Sequence, residues 1–108
     1  MAQDGFYNAD QYAALTHAQL RYESSGRAGT LYFKNQETSF SMWWEFGGGD
    51  ALAIINIPSA QNWETETQLA LDKRAVVLQF IGEQVVRDQA SGNGYYEIAE
   101  DFLTIYHS

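Results

Sequence analysis

Cysteine is absent from this 108-residue chain, so a disulfide framework, a thiolate metal site and a papain-type nucleophile are all excluded. Nothing in it requires an oxidising compartment. Histidine occurs twice, at His17 and His107 near opposite ends, and no HExxH pattern is present. A metal centre, which needs three or four convergent ligands, is therefore not expected, and no motif calls for a cofactor. Basic residues are scarce: six Lys and Arg stand against fourteen Asp and Glu, for a formal charge of −8. Binding to nucleic acid draws most of its affinity from Lys and Arg displacing counterions, and anionic headgroups repel the same surface, so neither nucleic acid nor membrane is an expected partner. No apolar run approaches the roughly 20 residues that span a bilayer, and residues 1–5 carry neither the basic nor the apolar segment of a secretory signal. The expected location is the cytoplasm.

Proline occurs once, while 45% of the residues are apolar and 15% aromatic. That composition supplies enough burial to outweigh ordering entropy, and the length fits one domain spanning residues 1–108. Asn8 followed by Gln11 three residues later fits a capping box, and Tyr12, Leu15, Gln19 and Tyr22 lie at helical spacing up to a stop at Ser24-Ser25-Gly26. Residues 19–23 also alternate as a strand would, so residues 18–24 are open between helix and strand. The second helix is clearer. Over residues 71–90, Val77, Leu78, Ile81 and Val85 form an apolar stripe that Phe80 widens, and Asp72 sits in the first turn, where the helix dipole favours an anion. Ser91-Gly92-Asn93-Gly94 ends it. Gly82, inside this helix, costs about 1 kcal/mol relative to Ala, which predicts a close approach of helix to sheet.

Between the helices the turns set strand register. With Gln36-Glu37 as the tip of a hairpin, Phe33 faces Phe40 and Leu31 faces Met42. With Gly48-Gly49 as the tip of the next, Phe46, Trp44, Met42 and Phe40 face Ala51, Ala53, Ile55 and Ile57. Both assignments choose the same core face, which predicts a three-stranded meander over residues 29–58 ended by Pro58. Residues 59–68 read as an irregular connection, and residues 95–106 as two short strands around Glu100-Asp101. The expected fold is α+β: an antiparallel sheet of about four to six strands with the long helix packed on one face, and an N-terminal helix.

The same register leaves Thr30, Tyr32, Trp43, Leu52 and Ile54 on the opposite face, with Lys34 and Glu45 toward its rim. A face that apolar marks an interface or an element that covers it. Tyr32, Trp43, Leu52 and Ile54, together with Trp63 on the connection, are the candidate binding residues. For catalysis the candidates are carboxylates near indoles, Glu64 and Glu66 beside Trp63 and Glu45 beside Trp43, where an apolar ring can raise one pKa while its neighbour stays solvated. Each also reads as an ordinary solvated loop or rim residue, and no nucleophile elbow or phosphate-binding glycine motif accompanies them. The leading expectation is a non-catalytic interaction or accessory protein that docks a protein partner, or a second copy of itself, through the second sheet face. A small carboxylate enzyme or ligand-binding domain is the first alternative, and an acidic inhibitor of the immunity type, directed at a basic partner, is the second.

Overall fold

The computed structural model describes residues 9–107; Asn8, and with it the expected capping box, lies outside the described residues. Alternating apolar and polar residues form six strands, β1 (Gln19–Ser25), β2 (Ala28–Lys34), β3 (Ser39–Phe46), β4 (Ala51–Asn56), β5 (Gly94–Ile98) and β6 (Phe102–His107). They build a single antiparallel sheet in the order β1-β2-β3-β4-β6-β5. The described helices are α1 (Ala9–Tyr12), α2 (Trp63–Thr67) and α3 (Arg74–Gln89), with short 3-10 turns at Ala13–Leu15 and Leu71–Lys73. The architecture is α+β, a six-stranded sheet under one long helix, as the sequence predicts.

Two segments depart from expectation. Helix ends early at the N-terminus, because Ser24 and Ser25 close strand β1 and Gly26-Arg27 is a hairpin turn and not a helix stop. Ser25 pairs with Ala28, and Gly26 takes φ +67, a left-handed conformation that only a residue without Cβ adopts at no steric cost. Residues 19–25 are thereby committed to a strand. The connection after Pro58 is likewise more ordered than its composition suggests: Trp63 starts helix α2, packs edge-on against Phe40 at 5.8 Å and donates its indole N–H to the Ala70 carbonyl at 3.1 Å.

The β2–β3 hairpin has the predicted register, Leu31 opposite Met42 and Phe33 opposite Phe40. The β3–β4 hairpin keeps the predicted faces but slips by two residues, pairing Trp44 with Ile55 and Phe46 with Ala53. The cause is a longer turn. Ala51 donates to the Gly48 carbonyl and Gly47 to the Leu52 carbonyl, so the loop closes over residues 48–51. A β-bulge between Ala51 and Ala53 then accommodates β6.

The core lies between the sheet and α3. Val77, Leu78, Ile81 and Val85 are buried against Leu31, Phe33, Ile55, Leu103 and Ile105, and the Phe80 ring meets Phe33 edge-on at 6.1 Å. Gly82 is buried, and a Cβ there would fall 2.6 Å from the Tyr96 ring. This glycine is what lets α3 lie directly on β5. On the other flank Asn35, nearly buried, donates to the Ala14 carbonyl and accepts from the Glu37 and Thr38 N–H groups, tying the N-terminal turn to the β2–β3 hairpin. No described helix is long and apolar enough to cross a membrane.

Candidate functional site

Helices α2 and α3 and the 3-10 turn Ala13–Leu15 pack on the same side of the sheet, through Trp63, the α3 stripe and Ala14. Strand alternation places the remaining side chains on the other side. Cross-strand register brings together Arg21, Tyr32 and Ser41; then Glu23, Thr30 and Trp43; then Glu45, Ile54, Thr104 and Glu97; and finally Tyr106 and Tyr95. Phe102 joins them beside Asn56. Trp43 and Tyr95 are each 52% exposed and Phe102 is 46% exposed. No described element lies over them.

Of the expected binding residues, Tyr32, Trp43 and Ile54 share this open face. Leu52 does not. It sits at the β4 bulge, where the alternation is broken, and packs against the core instead. Trp63 is 0% exposed and is a core residue, so its expected place in a binding surface is withdrawn. Glu45 is exposed, stands opposite Ile54 and lies one residue from the end of β3, across from Ala28, the first residue of β2. Glu64 and Glu66 are exposed on α2, on the helix side of the molecule. Glu64 accepts the Leu71 N–H at 3.0 Å and so serves the start of the next turn. The three carboxylates are not brought together. Among the described residues no group of three His, Cys, Asp or Glu could hold a metal ion.

The β1 end of the face shows what its side chains can do. The Arg21 guanidinium lies 4.1 Å from the centre of the Tyr32 ring and 3.0 Å from the Glu23 carboxylate, which also accepts the Tyr32 hydroxyl at 2.8 Å. The Tyr32 hydroxyl, and secondarily Arg21, hold the Glu23 carboxyl below the usual carboxylate range; the same bond pushes the Tyr32 hydroxyl up. A cation over an aromatic face, closed by a carboxylate, is a favourable triad. At the β5 end Tyr95 and Tyr106 stack at 4.8 Å, and Tyr106 donates to Glu97 at 3.0 Å, a bond that raises its own pKa. Between the two ends stand Trp43 and Glu45, two residues apart on one strand, and no cation of the described residues pairs with Glu45.

The aromatic β5–β6 half of this face was missed from sequence. Its signal was available: once Leu103 and Ile105 are assigned to the core, Phe102, Thr104 and Tyr106 must point the other way. Comparison of the chain with family models, with curated proteins and with solved structures finds no match. Any functional reading therefore rests on this geometry.

Proposed function

We propose that this protein is a non-catalytic interaction module that docks a partner protein through the open face of its sheet. The observation that carries this reading is the half-exposed Trp43 at the centre of an uncovered face that also bears Tyr32, Tyr95, Phe102 and Tyr106. Charge selects the occupant. Glu23, Glu45 and Glu97 punctuate the face, on a chain of formal charge −8, so apposing two copies brings like charges together, whereas a partner with an apolar centre and a basic rim is complementary. In this reading a partner Lys or Arg lies over the Trp43 indole against Glu45, repeating between molecules what Arg21, Tyr32 and Glu23 do within one.

A short peptide alternating Arg and Leu, titrated into isotope-labelled protein, tests it. Saturable shifts confined to Trp43, Glu45, Ile54 and Phe102, weakened by salt and by Trp43→Ala, are the expected result. Shifts scattered over the surface, or none, overturn the proposal. Light scattering on the protein alone decides the competing occupant, since a dimer that dissociates on Trp43→Ala makes the face a self-association surface.

A further inference from the structure

The two edge strands of the sheet differ. At one edge β5 is five residues long, and its one charged residue, Glu97, already accepts the Tyr106 hydroxyl. At the other, β1 is seven residues long and pairs with β2 over its whole length without a bulge. It contains no proline, and among the described residues no backbone group outside β2 bonds to it. An edge in this state is a template for another strand. Which of its groups are free follows from β2. The Arg27 carbonyl accepts the Phe46 N–H at 2.9 Å, so by alternation Ala28, Thr30, Tyr32 and Lys34 bond toward β1. Their partners Ser25, Glu23, Arg21 and Gln19 are thereby used within the hairpin, whose two-residue loop starts with Gly26 at φ +67, as in a type II′ turn. Leu20, Tyr22 and Ser24 are left with their N–H and C=O groups directed outward.

We infer that two copies of this chain join edge to edge, β1 against β1 in antiparallel orientation, about a two-fold axis at Tyr22. Charge in that register selects a second copy as the occupant. Tyr22 faces the partner's Tyr22, Leu20 faces the partner's Ser24, and Arg21 faces the partner's Glu23, so the symmetry generates two opposite-charge pairs. Leu20, Tyr22 and Ser24 then exchange backbone bonds across the edge. Arg21 and Glu23 fall in the non-hydrogen-bonded pairs, where Cα atoms are about 4.5 Å apart and side chains meet most closely. An axis at Arg21 would set arginine against arginine, and one at Glu23 glutamate against glutamate; like charges directly opposite are destabilising. On β5 the equivalent axis at Tyr96 sets Glu97 against Tyr95 and gains no ion pair. Each chain carries a formal charge of −8, which opposes association in general, but β1 is locally neutral, with one Arg and one Glu. Arg21 also has donors to spare. Its bond to Glu23 of its own chain uses Nη1, and the two side chains are 63% and 55% exposed. The axis runs normal to the sheet, so both open faces lie side by side on one surface of the dimer. The contact uses none of Trp43, Ile54 and Phe102 and does not depend on the docking reading.

Sedimentation equilibrium of the full chain tests this. The expected result is a dimer that dissociates on dilution, as a contact of this size should, and that Trp43→Ala leaves intact. Arg21→Glu and Glu23→Arg each make both facing pairs like-charged and should each weaken the dimer about tenfold. Mixed together, the two variants should associate as tightly as the parent chain. Neither variant regains an Arg–Glu pair of its own, so recovery on mixing reports a contact between chains. A chain that stays monomeric at about 1 mM, a dimer that either reversal leaves unchanged, or a mixture no tighter than its components overturns the inference. So does a dimer lost on Trp43→Ala, which would assign the contact to the open face. If a reversal does not fold, Ser24→Pro decides alone: it deletes an outward N–H without removing a bond to β2, and an unweakened dimer overturns the inference.

Discussion

The two faces of the sheet are made by the same strands, yet they end in opposite environments. On the helix side Leu31, Phe33, Ile55, Leu103 and Ile105 are at most 2% exposed; on the open side Trp43, Tyr95 and Phe102 are 46–52% exposed. Both carry aromatic and branched side chains, but the charged strand residues Arg21, Glu23, Glu45 and Glu97 stand on the open side, and only the other side is covered. An apolar side chain contributes to stability about in proportion to the area it loses to water, so the first face holds the fold together and the second, half exposed, contributes less to it. Substitutions should therefore report on different quantities: stability on the helix side, association on the open side.

The largest effect falls on the tryptophan that the sequence places in the wrong environment. Trp63→Ala removes a side chain with no exposed area, its contact with Phe40 and its bond to Ala70. Truncations of this kind cost about 3–5 kcal/mol, read as a lower denaturant midpoint at unchanged slope. A loss under about 1 kcal/mol would mean that α2 is not part of the core. A smaller cost is expected from Gly82→Ala, because the added methyl must displace the Tyr96 ring from 2.6 Å; overpacking of this order costs about 1–3 kcal/mol. Combined with Tyr96→Ala the two costs should not add, since the second change removes the obstacle that the first one meets.

How far these environments were legible depends on whether periodicity or punctuation carried the information. The α3 stripe and the β2–β3 register follow from spacing alone, because Val77, Leu78, Ile81 and Val85 can share a helical face in only one way and Phe33 opposite Phe40 fixes all the pairs behind it. The assignment of Trp44 to the covered face and Trp43 to the open one survives even the two-residue slip at Gly48, since an even shift preserves strand parity. Punctuation was ambiguous where a glycine serves two geometries. Gly26 after two serines fits a helix stop and a hairpin tip equally, and only pairing with β2 decides between them. Leu52 was misplaced because a β-bulge cancels the alternation from which its face was read. Trp63 was misplaced because the only other residue that its short helix buries is Thr67, one turn on, whose polar side chain gives no apolar period to detect.

A pH experiment sharpens the comparison from the covered side. Burial, and then the bond to Asp88, raise the Tyr22 hydroxyl above a tyrosine's ordinary value of 10.0. The folded chain thus keeps this proton where the unfolded chain has lost it. The associated stability is fully present below the unfolded value and is lost as pH rises from there through the folded one. Tyr32 and Tyr106, raised in the same direction by Glu23 and Glu97, sit on the open face, where water screens the effect. Tyr22→Phe should therefore make the alkaline fall in the unfolding midpoint shallower, and Tyr106→Phe should leave it nearly unchanged. Equal effects would show that the two faces are equally hydrated.

The smallest expected change in stability is also the one that bears most directly on function. Trp43→Ala deletes the same side chain as Trp63→Ala, from the same sheet domain, but from a position where half its surface already meets water. Its backbone carbonyl still accepts the Asn56 side chain, and its cross-strand neighbours Thr30 and Asn56 are small and polar, so little packing is lost. The change in unfolding free energy should stay within about 1 kcal/mol, several-fold below that for Trp63→Ala. Measured on one instrument under one condition, the ratio of the two losses shows how much of Trp43 the fold itself uses. If Trp43→Ala instead proves as costly as Trp63→Ala, the indole is already buried in solution, and a second molecule of this chain is the available cover.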